Sequence, residues 1–299
     1  MSSLLCIGDV MLDVITVFSG AINFGEDTPA KISTHGGGAA GNVASWASQS
    51  GADVHLIARV GKDAAGATIT SELKNLGVTL QVSVVDDEQT GVVVILVDSQ
   101  GERTMFPDTA ANSGLTFADL PSLDPYSAIY ISGYALINEK SRPGVLSMIE
   151  AIKEKGLPIF FDPTTVGGME QTSLTEVRSW LPSMDVLLMN EEEASFISGC
   201  SEISDSLTFL LSLSPTVVIK RGARGAIGQS RGGHIIEVAA EPVKVIDTTG
   251  AGDSFAGGFI AQWLISPDLS QCLGAGAKSA ARCVGIVGAR PHVTTALSG

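Results

Sequence analysis

Two short glycine-rich stretches contain the residues best suited to chemistry. Residues 35–42 read HGGGAAGN, in which Gly36, Gly38 and Gly41 satisfy the G-x-G-x-x-G spacing. That spacing is the fingerprint of a dinucleotide-binding turn, where glycines let the backbone approach a pyrophosphate. Residues 247–258 read DTTGAGDSFAGG and lead directly into the apolar run FIAQWLI. The first stretch suggests a dehydrogenase, whereas the second needs a different explanation.

The second stretch combines an anion site with a carboxylate. Gly250, Ala251 and Gly252 are small, so successive backbone N–H groups can point into one space at a helix N-terminus. Asp253 follows in the first turn, where the helix dipole keeps its carboxylate ionised. A carboxylate repels a bound phosphate, and deprotonating a hydroxyl that attacks this phosphate would explain its presence. A helix stabilised by a first-turn Asp would not require three small residues in a row.

The first stretch lacks the surroundings of a dinucleotide site. A Rossmann fingerprint follows a buried strand directly, but the preceding residues TPAKISTH are polar and contain a proline. The acidic residue that should end the second strand is also misplaced, since Asp53 precedes that strand and Arg59 lies at its far end. Glycines that let a helix pack closely are a better explanation, although they leave Asn42 unexplained.

The elements around these stretches alternate between strands and helices. From residue 128 on, the apolar runs AIYIS, PIFFD, VLLMN and TVVIK are separated by helical patterns. This alternation indicates a mostly parallel sheet with helices on both faces. Residues 13–34 read as irregular and turn-rich, and VVVILV, DSQGER and TMF predict a hairpin. We expect a small β element, formed by about 14–34 and 90–107, that stands off the main sheet.

Composition limits the partners and the compartment. The chain has 299 residues, 44% of them hydrophobic, and a net charge of −14. An acidic protein is a poor partner for nucleic acid or an anionic membrane, because both require basic surfaces. The four cysteines are scattered, the N-terminus does not resemble a signal peptide, and no apolar run approaches about 20 residues. These features predict a cytoplasmic protein with reduced thiols.

The two glycine-rich stretches together resemble a known family. GGAAGN at 37–42 and DTTGAGD at 247–253 are similar to the two signatures of the ribokinase (PfkB-type) carbohydrate kinases, and the similarity covers nearly the whole chain. The resemblance implies a ribokinase-like three-layer α/β sandwich in a single kinase domain, 1–299, with a small β lid over the sugar. That lid matches the segments 14–34 and 90–107. The first glycines are then expected to let the backbone approach a sugar.

The resemblance also implies roles for individual residues. Asp253 is the expected general base, and the amides of Gly250, Ala251 and Gly252 are the expected anion hole for the transferred phosphoryl group. The expected sugar-binding residues are Asp13, Gly37, Gly38, Asn42, Arg103 and Asp253. The N-x-x-E motif and the nucleotide loop KRGARG place the nucleotide at Asn190, Lys220, Gly222, Gly225 and Ala277. Lys220 departs from the small or hydroxyl residue that the family commonly has.

ATP and Mg²⁺ are the implied cofactors. Glu193 of the N-x-x-E motif would help to hold hydrated Mg²⁺ against the phosphates, since Mg²⁺ keeps most of its waters. Many family members also bind a monovalent cation such as K⁺ beside the anion hole. The matching positions are Asp247, Thr249, Cys283, Ile286, Gly288 and His292, mostly through backbone carbonyls. The chain contains no G-x-x-x-x-G-K-[ST] sequence, which excludes a P-loop kinase.

The acceptor is inferred from the distribution of basic residues. The first 110 residues contain only Lys31, Arg59, Lys62, Lys74 and Arg103. Because a phosphorylated sugar would require basic side chains around the lid, we expect an unphosphorylated sugar, phosphorylated on a primary hydroxyl in the manner of ribokinase or fructokinase. Arg103 would contact a hydroxyl, or the carboxylate of a keto-deoxy sugar acid.

Two alternatives to a sugar kinase stay open. One is a nucleoside kinase on the same fold, although the lid region has few aromatic residues to stack a base (Phe18, Phe24 and Phe106). The other is a sugar or nucleotide sensor without catalysis, which the intact Asp253 argues against. The run VVVILV is apolar at consecutive positions, so we expect both of its faces to be covered. A second subunit would cover one of them, which predicts a homodimer through the lid.

Overall fold

The computed structural model describes residues 2–292, and these residues form two sheets. The strands, in chain order, are β1 (Ser3–Ile7), β2 (Met11–Phe18), β3 (Ala30–Gly37), β4 (Asp53–Gly61), β5 (Thr79–Val85), β6 (Val92–Val97), β7 (Arg103–Asp108), β8 (Tyr126–Ser132), β9 (Ile159–Asp162), β10 (Val186–Asn190), β11 (Thr216–Lys220), β12 (Ala226–Ser230) and β13 (Ile236–Val238). The helices are α1 (Ala39–Gln49), α2 (Ala64–Asn75), α3 (Gly133–Ile137), α4 (Arg142–Glu154), α5 (Val166–Glu170), α6 (Leu174–Trp180), α7 (Glu191–Ser198), α8 (Ile203–Leu213), α9 (Ala251–Ile265) and α10 (Leu269–Val284).

The larger sheet has nine strands in the order β13-β12-β11-β10-β9-β8-β1-β4-β5. The seven strands from β11 to β5 in this order run parallel, and β12 and β13 form an antiparallel hairpin at one edge. Apolar runs such as TVVIK and VLLMN are buried on both faces, as expected for strands covered by helices on each side. The predicted mostly parallel sheet is therefore confirmed.

Each face of the larger sheet has its own hydrophobic core. Helices α1, α2, α9 and α10 cover one face, where Val43 and Phe259 are buried. Helices α4, α6, α7 and α8 cover the other face, where Met148 and Ile197 are buried. The three layers confirm the predicted ribokinase-like sandwich. Among the described residues, no helix is long and apolar enough to cross a membrane.

The parallel strands place their carboxyl ends along one edge of the larger sheet. Polar residues stand at these ends: Asp9 follows β1, and Ser132, Asp162, Asn190 and Lys220 are the last residues of β8, β9, β10 and β11. Ligands of open α/β sheets bind at this edge, where loops and helix N-termini converge. The topology therefore gathers chemically active side chains from distant parts of the chain.

The small sheet has four strands in the order β3-β2-β6-β7. It includes the predicted hairpin of β6 and β7 and corresponds to the expected small β element. The interpretation of 13–34 as irregular is wrong at both ends of this segment, since β2 includes residues 13–18 and β3 includes residues 30–34. The reason is that β2 pairs in parallel with β6, which lies far along the chain, so no local pattern reveals the pairing.

The two faces of the small sheet differ in character. The strand registers place Asp13, Ile95 and Arg103 on one face and Val94 and Phe106 on the other. Val94 is 37% exposed and Phe106 is 56% exposed. Within a single chain, the second face of β6 is therefore open to solvent, and its coverage by a second subunit stays a prediction.

Candidate active site

The N-terminus of α9 has the geometry of an anion site. Gly250 precedes the helix with a φ of 74°, a left-handed conformation that glycine adopts without strain. The first turn of a helix leaves N–H groups without intrahelical partners, although the amide of Ala251 makes a long contact of 3.3 Å with the carbonyl of Thr248. A Cβ at Gly252 would lie 3.2 Å from the Nζ atom of Lys220. Backbone donors and one ammonium group thus face the same space.

Asp253 lies in the first turn of α9 and is oriented by Asn42. The Nδ2 atom of Asn42 donates to the Oδ2 atom of Asp253 at 2.8 Å. Burial raises the pKa of Asp253 to about 7, with a further contribution from the charge of Asp162, and the hydrogen bond from Asn42 opposes this shift. A carboxylate with a pKa near the working pH is well suited to act as a general base.

Lys220 forms a buried ion pair at the ends of β9 and β11. Its Nζ atom lies 2.5 Å from the Oδ2 atom of Asp162, and the two side chains are 12% and 3% exposed. Burial alone would lower the pKa of Lys220, but the charges of Asp162 and Glu193 raise it above its usual value. The ammonium group therefore keeps its charge beside the anion site.

Asn190 and Glu193 form a capping box at the start of α7. The side chain of Asn190 accepts from the backbone N–H of Glu193 at 2.8 Å, and the Glu193 carboxylate accepts from the backbone N–H of Asn190 at 2.8 Å. Burial, together with the charge of Asp162, raises the pKa of Glu193 to about 7. The N-x-x-E motif thus fixes a buried carboxylate near Lys220.

A cleft of about 740 Å³ adjoins these residues. Its lining includes all of the nucleotide-binding positions expected from the sequence, together with the acid of the N-x-x-E motif and the residues of the α9 N-terminus: Asn190, Lys220, Gly222, Gly225, Ala277, Glu193, Gly250, Ala251, Gly252 and Asp253. Val243, Val245 and Val284 add apolar surface suited to a base. The cleft has the volume of typical small-molecule sites.

Asp13 of β2 is not among the residues that line this cleft. Its carboxylate packs against Gly37, where any Cβ would overlap it. Burial raises the pKa of Asp13 to about 6. Within residues 2–292, no side chain or backbone group donates a hydrogen bond to this carboxylate. A buried acceptor without a protein donor is suited to bind hydroxyl groups of a ligand.

The glycines of residues 35–42 make room for other parts of the protein. Gly38 begins α1 with a φ of 88°, against the backbone of residues 9–10. A Cβ at Gly36 or Gly41 would overlap the guanidinium of Arg290. The strand before these glycines is β3 of the small sheet, whereas a dinucleotide fingerprint follows a strand of the parallel sheet. The spaces that these glycines leave are therefore occupied by protein atoms, and the dehydrogenase interpretation has no support in the fold.

Arg103 of the small sheet contacts the loop before α9. Its Nη2 atom lies 2.5 Å from the Oδ1 atom of Asp247, and its Nη1 atom lies 2.5 Å from the Oγ1 atom of Thr249. Asp247 also accepts from the backbone amides of Thr249 and Gly288 at 2.9 and 3.0 Å. Although burial opposes them, these hydrogen bonds and the charge of Arg103 lower the pKa of Asp247 to about 2. Arg103 thus binds a protein carboxylate in this conformation.

The other positions expected for a monovalent cation lie on neighbouring segments. The Sγ atom of Cys283 lies 3.3 Å from the carbonyl oxygen of Thr249. The amide of Ile286 donates to the carbonyl of Cys283 at 3.1 Å. His292 is exposed, and its Nε2 atom lies 3.2 Å from the carbonyl oxygen of Val287. Within residues 2–292, no three His, Cys, Asp or Glu side chains are grouped to bind a metal ion together.

Several site residues were not identified from the sequence. Asp9 accepts from the amide of Ala39 at 2.9 Å and from the hydroxyl of Ser132 at 2.8 Å, so it caps α1 from another strand. Asp162 pairs with Lys220 at the anion site. The position of Asp9 and Asp162 at the ends of parallel strands was a usable signal. Nothing local to the sequence distinguished Arg290.

The fold and the site together define a phosphotransferase: a nucleotide-sized cleft leads to the N-terminus of α9, where Asp253 lies in the first turn and the ammonium group of Lys220, at the end of β11, faces Gly252. The chain belongs to the pfkB family of carbohydrate kinases, whose sequence pattern it matches over residues 1–296. It is therefore an ATP-dependent carbohydrate kinase.

One curated relative is similar to this chain in sequence, and two solved structures share its fold. A fructokinase of Klebsiella pneumoniae is 32% identical over 234 residues, which are 75% of this chain and 76% of the fructokinase. The adenosine kinase of Sinorhizobium meliloti has the same fold, with a TM-score of 0.87 at 21% identity over 97% of this chain and 96% of its own. A putative ribokinase II of E. coli, solved in complex with ATP and Mg²⁺, superimposes with a TM-score of 0.85 at 24% identity over 97% and 94% of the two chains.

Proposed function

We propose that the protein transfers the γ-phosphoryl group of ATP to a primary hydroxyl of an unphosphorylated sugar, and that Asp253 is the general base. One observation supports this most directly. The Asp253 carboxylate lies between Asn42, which borders the Asp13 side, and the anion site at the N-terminus of α9. A hydroxyl bound near Asp13 would reach both the base and the phosphate.

The proposed reaction needs only a proton transfer and one displacement. Asp253 accepts the proton of the sugar hydroxyl while the hydroxyl oxygen forms a bond to the γ-phosphorus. The bond from that phosphorus to the β–γ bridging oxygen breaks, and ADP leaves with the electron pair. The amides of Gly250, Ala251 and Gly252, with the ammonium group of Lys220, stabilise the negative charge on the transferred group. Asp13 accepts hydrogen bonds from neighbouring sugar hydroxyls.

The residues of the cleft fit Mg²⁺ bound to ATP. Asp162 and Glu193 are buried carboxylates beside the anion site, and Lys220 alone does not balance the charges of these two and Asp253. Hard oxygen ligands in excess suit a hydrated divalent cation. When bound, Mg²⁺ would neutralise charge on the phosphates. We assign Glu193 the contact with its water shell.

The residues around Asp247 do not fit a monovalent cation while Arg103 is in its observed position. The Asp247 carboxylate already accepts from Arg103, Thr249 and Gly288, and the carbonyl of Thr249 faces the thiol of Cys283. The charge that a cation would supply there comes from the guanidinium of Arg103. The proposed reaction therefore has no step through K⁺.

We propose that residues 1–299 act as one kinase domain and that the small sheet is its lid. Arg103 on β7 reaches Asp247 on the loop before α9, so the small sheet already contacts the phosphate side of the site. Binding of both substrates under this sheet would exclude water from the transfer. A cytoplasmic location agrees with a need for ATP and with four cysteines that are free in the structure.

The choice of acceptor gives the central test of the proposal. Of the basic residues in the first 110, Arg59 and Lys62 pair with Asp119 and Asp86, and Arg103 pairs with Asp247. We therefore expect kcat/KM to be highest for an unphosphorylated sugar with a free primary hydroxyl, measured by ADP release over pentoses, hexoses, sugar acids and nucleosides. Sugar phosphates tested at equal concentration serve as the comparison. A higher kcat/KM for any sugar phosphate would exclude this acceptor class.

A nucleoside acceptor is the second candidate, and Tyr134 favours it. This residue of α3 is 40% exposed. It lies two residues after Ser132, the last residue of β8, whose hydroxyl donates to Asp9. Burial raises the pKa of its phenol, and so do the charges of Asp9 and Asp253. An aromatic ring there offers a surface for stacking a base. In the same ADP-release assay, a nucleoside that exceeds every free sugar would establish this alternative.

We also propose that the chain forms a homodimer through the open face of the small sheet. Ile32, Val94 and Phe106 expose 63%, 37% and 56% of their surface on this face or at its edge. Contiguous exposed apolar surface marks an interaction site. Light scattering at micromolar concentration should give twice the chain mass, and Phe106→Glu should give a monomer. The control Ile265→Glu, at an exposed apolar residue of α9, should remain dimeric. A wild-type monomer with and without sugar would contradict the proposal.

A further inference from the structure

Arg290 occupies a buried position beneath the acceptor side of the site. It is 4% exposed, and it comes from the segment after α10. Its Nε atom donates to the Oδ1 atom of Asn42 at 3.1 Å, and its Nη2 atom donates to the carbonyl of Gly37 at 2.5 Å. Glu72 of α2 lies 3.6 Å from the Nη1 atom and offsets the charge. A guanidinium this deeply buried contacts two of the residues assigned to the acceptor.

The glycines of residues 35–42 are shaped around this guanidinium. A Cβ at Gly36 would overlap the Nη1 atom of Arg290, and a Cβ at Gly41 would lie 2.5 Å from its Nη2 atom. Two of the three glycines that satisfy the G-x-G-x-x-G spacing therefore make room for Arg290. The same interaction explains both the glycines and the buried arginine.

The bond from Arg290 determines which way the amide of Asn42 faces. A guanidinium has only donors, so the atom of Asn42 that faces it must be the carbonyl oxygen Oδ1. The amide nitrogen Nδ2 is then turned toward Asp253, to whose carboxylate it donates at 2.8 Å. With the amide reversed, an oxygen would face the carboxylate and repel it. Glu72, Arg290, Asn42 and Asp253 thus form one directed chain of contacts.

We propose that Arg290 is a positioning residue for phosphoryl transfer, which acts by fixing the amide of Asn42 so that its Nδ2 donates to the general base. This inference rests on the proposed function of Asp253. Arg290 itself touches neither substrate, since it lies beneath the backbone of residues 36–41. Without Arg290, the side-chain amide of Asn42 is free to rotate, and the carboxylate of Asp253 no longer has the Nδ2 atom of Asn42 as a fixed hydrogen-bond donor.

The loss of the hydrogen bond from Asn42 to Asp253 can be measured through the pKa of Asp253, which also depends on the charged groups around it. The charged and titratable groups that face Asp253 come from seven other elements or their adjoining loops: Asp9, Tyr130, Tyr134, Asp162, Glu193, Lys220 and Cys283. Replacing Arg290 changes none of these residues. The charge of Arg290 also lowers the pKa of Asp13, so a variant that keeps a positive charge at residue 290 is needed to assign a change in the acid limb of the pH profile to the bond from Asn42, which stabilises the ionised form of Asp253.

The test uses Arg290→Met with the profile of kcat against pH. We expect the acid limb to move to higher pH by about one unit and kcat at its optimum to fall roughly tenfold, because a charged acceptor loses one hydrogen bond. Arg290→Lys keeps a charge opposite Glu72 but has no Nε donor. It should give the same displacement with a smaller loss of thermal stability, and it provides the readout if the Met variant does not fold.

A double-mutant cycle separates positioning from general destabilisation. If Arg290 acts through Asn42, adding Arg290→Met to Asn42→Ala should change kcat less than about twofold, whereas independent effects would multiply. Arg59→Met is the matched control, since Arg59 is a largely buried arginine that donates to the carbonyl of Gly114 away from the site. It should lower the melting temperature and leave the pH profile unchanged.

The outcomes distinguish this inference from the proposed function. An unchanged acid limb in both Arg290 variants, or multiplying effects in the cycle, would overturn the positioning role while Asp253→Asn remains inactive. Activity of Asp253→Asn near the wild-type rate would instead reject Asp253 as the base, and Arg290 with it.

Discussion

Asp253→Asn should lower kcat by about 10²- to 10⁴-fold, the usual contribution of general-base catalysis. The substitution keeps the size of the side chain and the start of α9 but removes its basicity. Affinity for ATP should stay the same or increase, because a negative charge beside the γ-phosphate is lost. Steady-state kinetics and nucleotide titration of the purified variant measure both quantities.

The thermal stability of Asp253→Asn tests the role of Asp253 independently of the kinetics. Burial raises the pKa of Asp253 to about 7, so the folded state loses stability as the pH rises from the ordinary pKa of an Asp, about 4, to about 7, and the loss is complete above that value. Asp253→Asn should therefore raise the melting temperature at pH 8, and the gain should shrink as the pH falls below 7. A role as a first-turn helix stabiliser predicts the opposite, a loss under about 1 kcal/mol with kcat little changed.

Asp205→Asn is the matched control for this experiment. Asp205 stands at the third position of α8, as Asp253 does in α9, but it is exposed. Its replacement should show only the small effect of a helix dipole, with kcat unchanged. If Asp253→Asn behaves like Asp205→Asn in both rate and stability, the catalytic assignment is wrong, and a sensor without catalysis gains support.

Lys220→Met should have the second largest effect, a decrease in kcat of about 10²- to 10³-fold, comparable to the loss of one donor to a transition-state oxyanion. The ammonium group lies 2.5 Å from Asp162 and faces Gly252 at the anion site. Without it, the carboxylates of Asp162, Glu193 and Asp253 are left without their cation. We expect the KM for ATP to rise as well, because these charges repel the phosphates.

Lys155→Met provides the comparison for Lys220→Met. Lys155 pairs with Asp124 at 2.6 Å, but both side chains are exposed, so breaking the pair should change neither stability nor kinetics measurably. Raising the Mg²⁺ concentration should restore part of the ATP affinity of Lys220→Met if the added ions neutralise the carboxylates. A variant with normal kcat and KM would show that Lys220 only balances Asp162.

Structural features that depend on residues close together in the chain could be predicted from the sequence. Alternating apolar strands and helices predicted the parallel sheet with two covered faces, and the start of α9 with Asp253 followed from seven contiguous residues. The capping box of Asn190 and Glu193 also lies within one turn, so its spacing alone predicts its geometry. The expected nucleotide-binding positions came from the resemblance to the family; all of them line the cleft, and their role in binding stays a prediction.

The ion-pair partners of the charged side chains could not be predicted from the sequence, because they depend on the tertiary fold. Arg103 was expected to contact the acceptor but binds Asp247, and Lys220 was noted as a departure without its partner Asp162. Burying a charge is costly unless an opposite charge or several hydrogen bonds accompany it. The residues that satisfy this requirement lie far apart in the chain, so local spacing could not reveal them.

The glycines of residues 35–42 show most clearly what could be predicted from the sequence and what could not. Their spacing indicated close approach of the backbone to another group, which is correct, but the group proved to include Arg290 from the other end of the chain. A glycine in the sequence indicates that another group packs closely against the backbone, but it does not identify that group. The fold brings the segment after α10, with Arg290, beneath β3 and α1. The buried guanidinium of Arg290 needs acceptors, and the carbonyl of Gly37 and the side chain of Asn42 provide them.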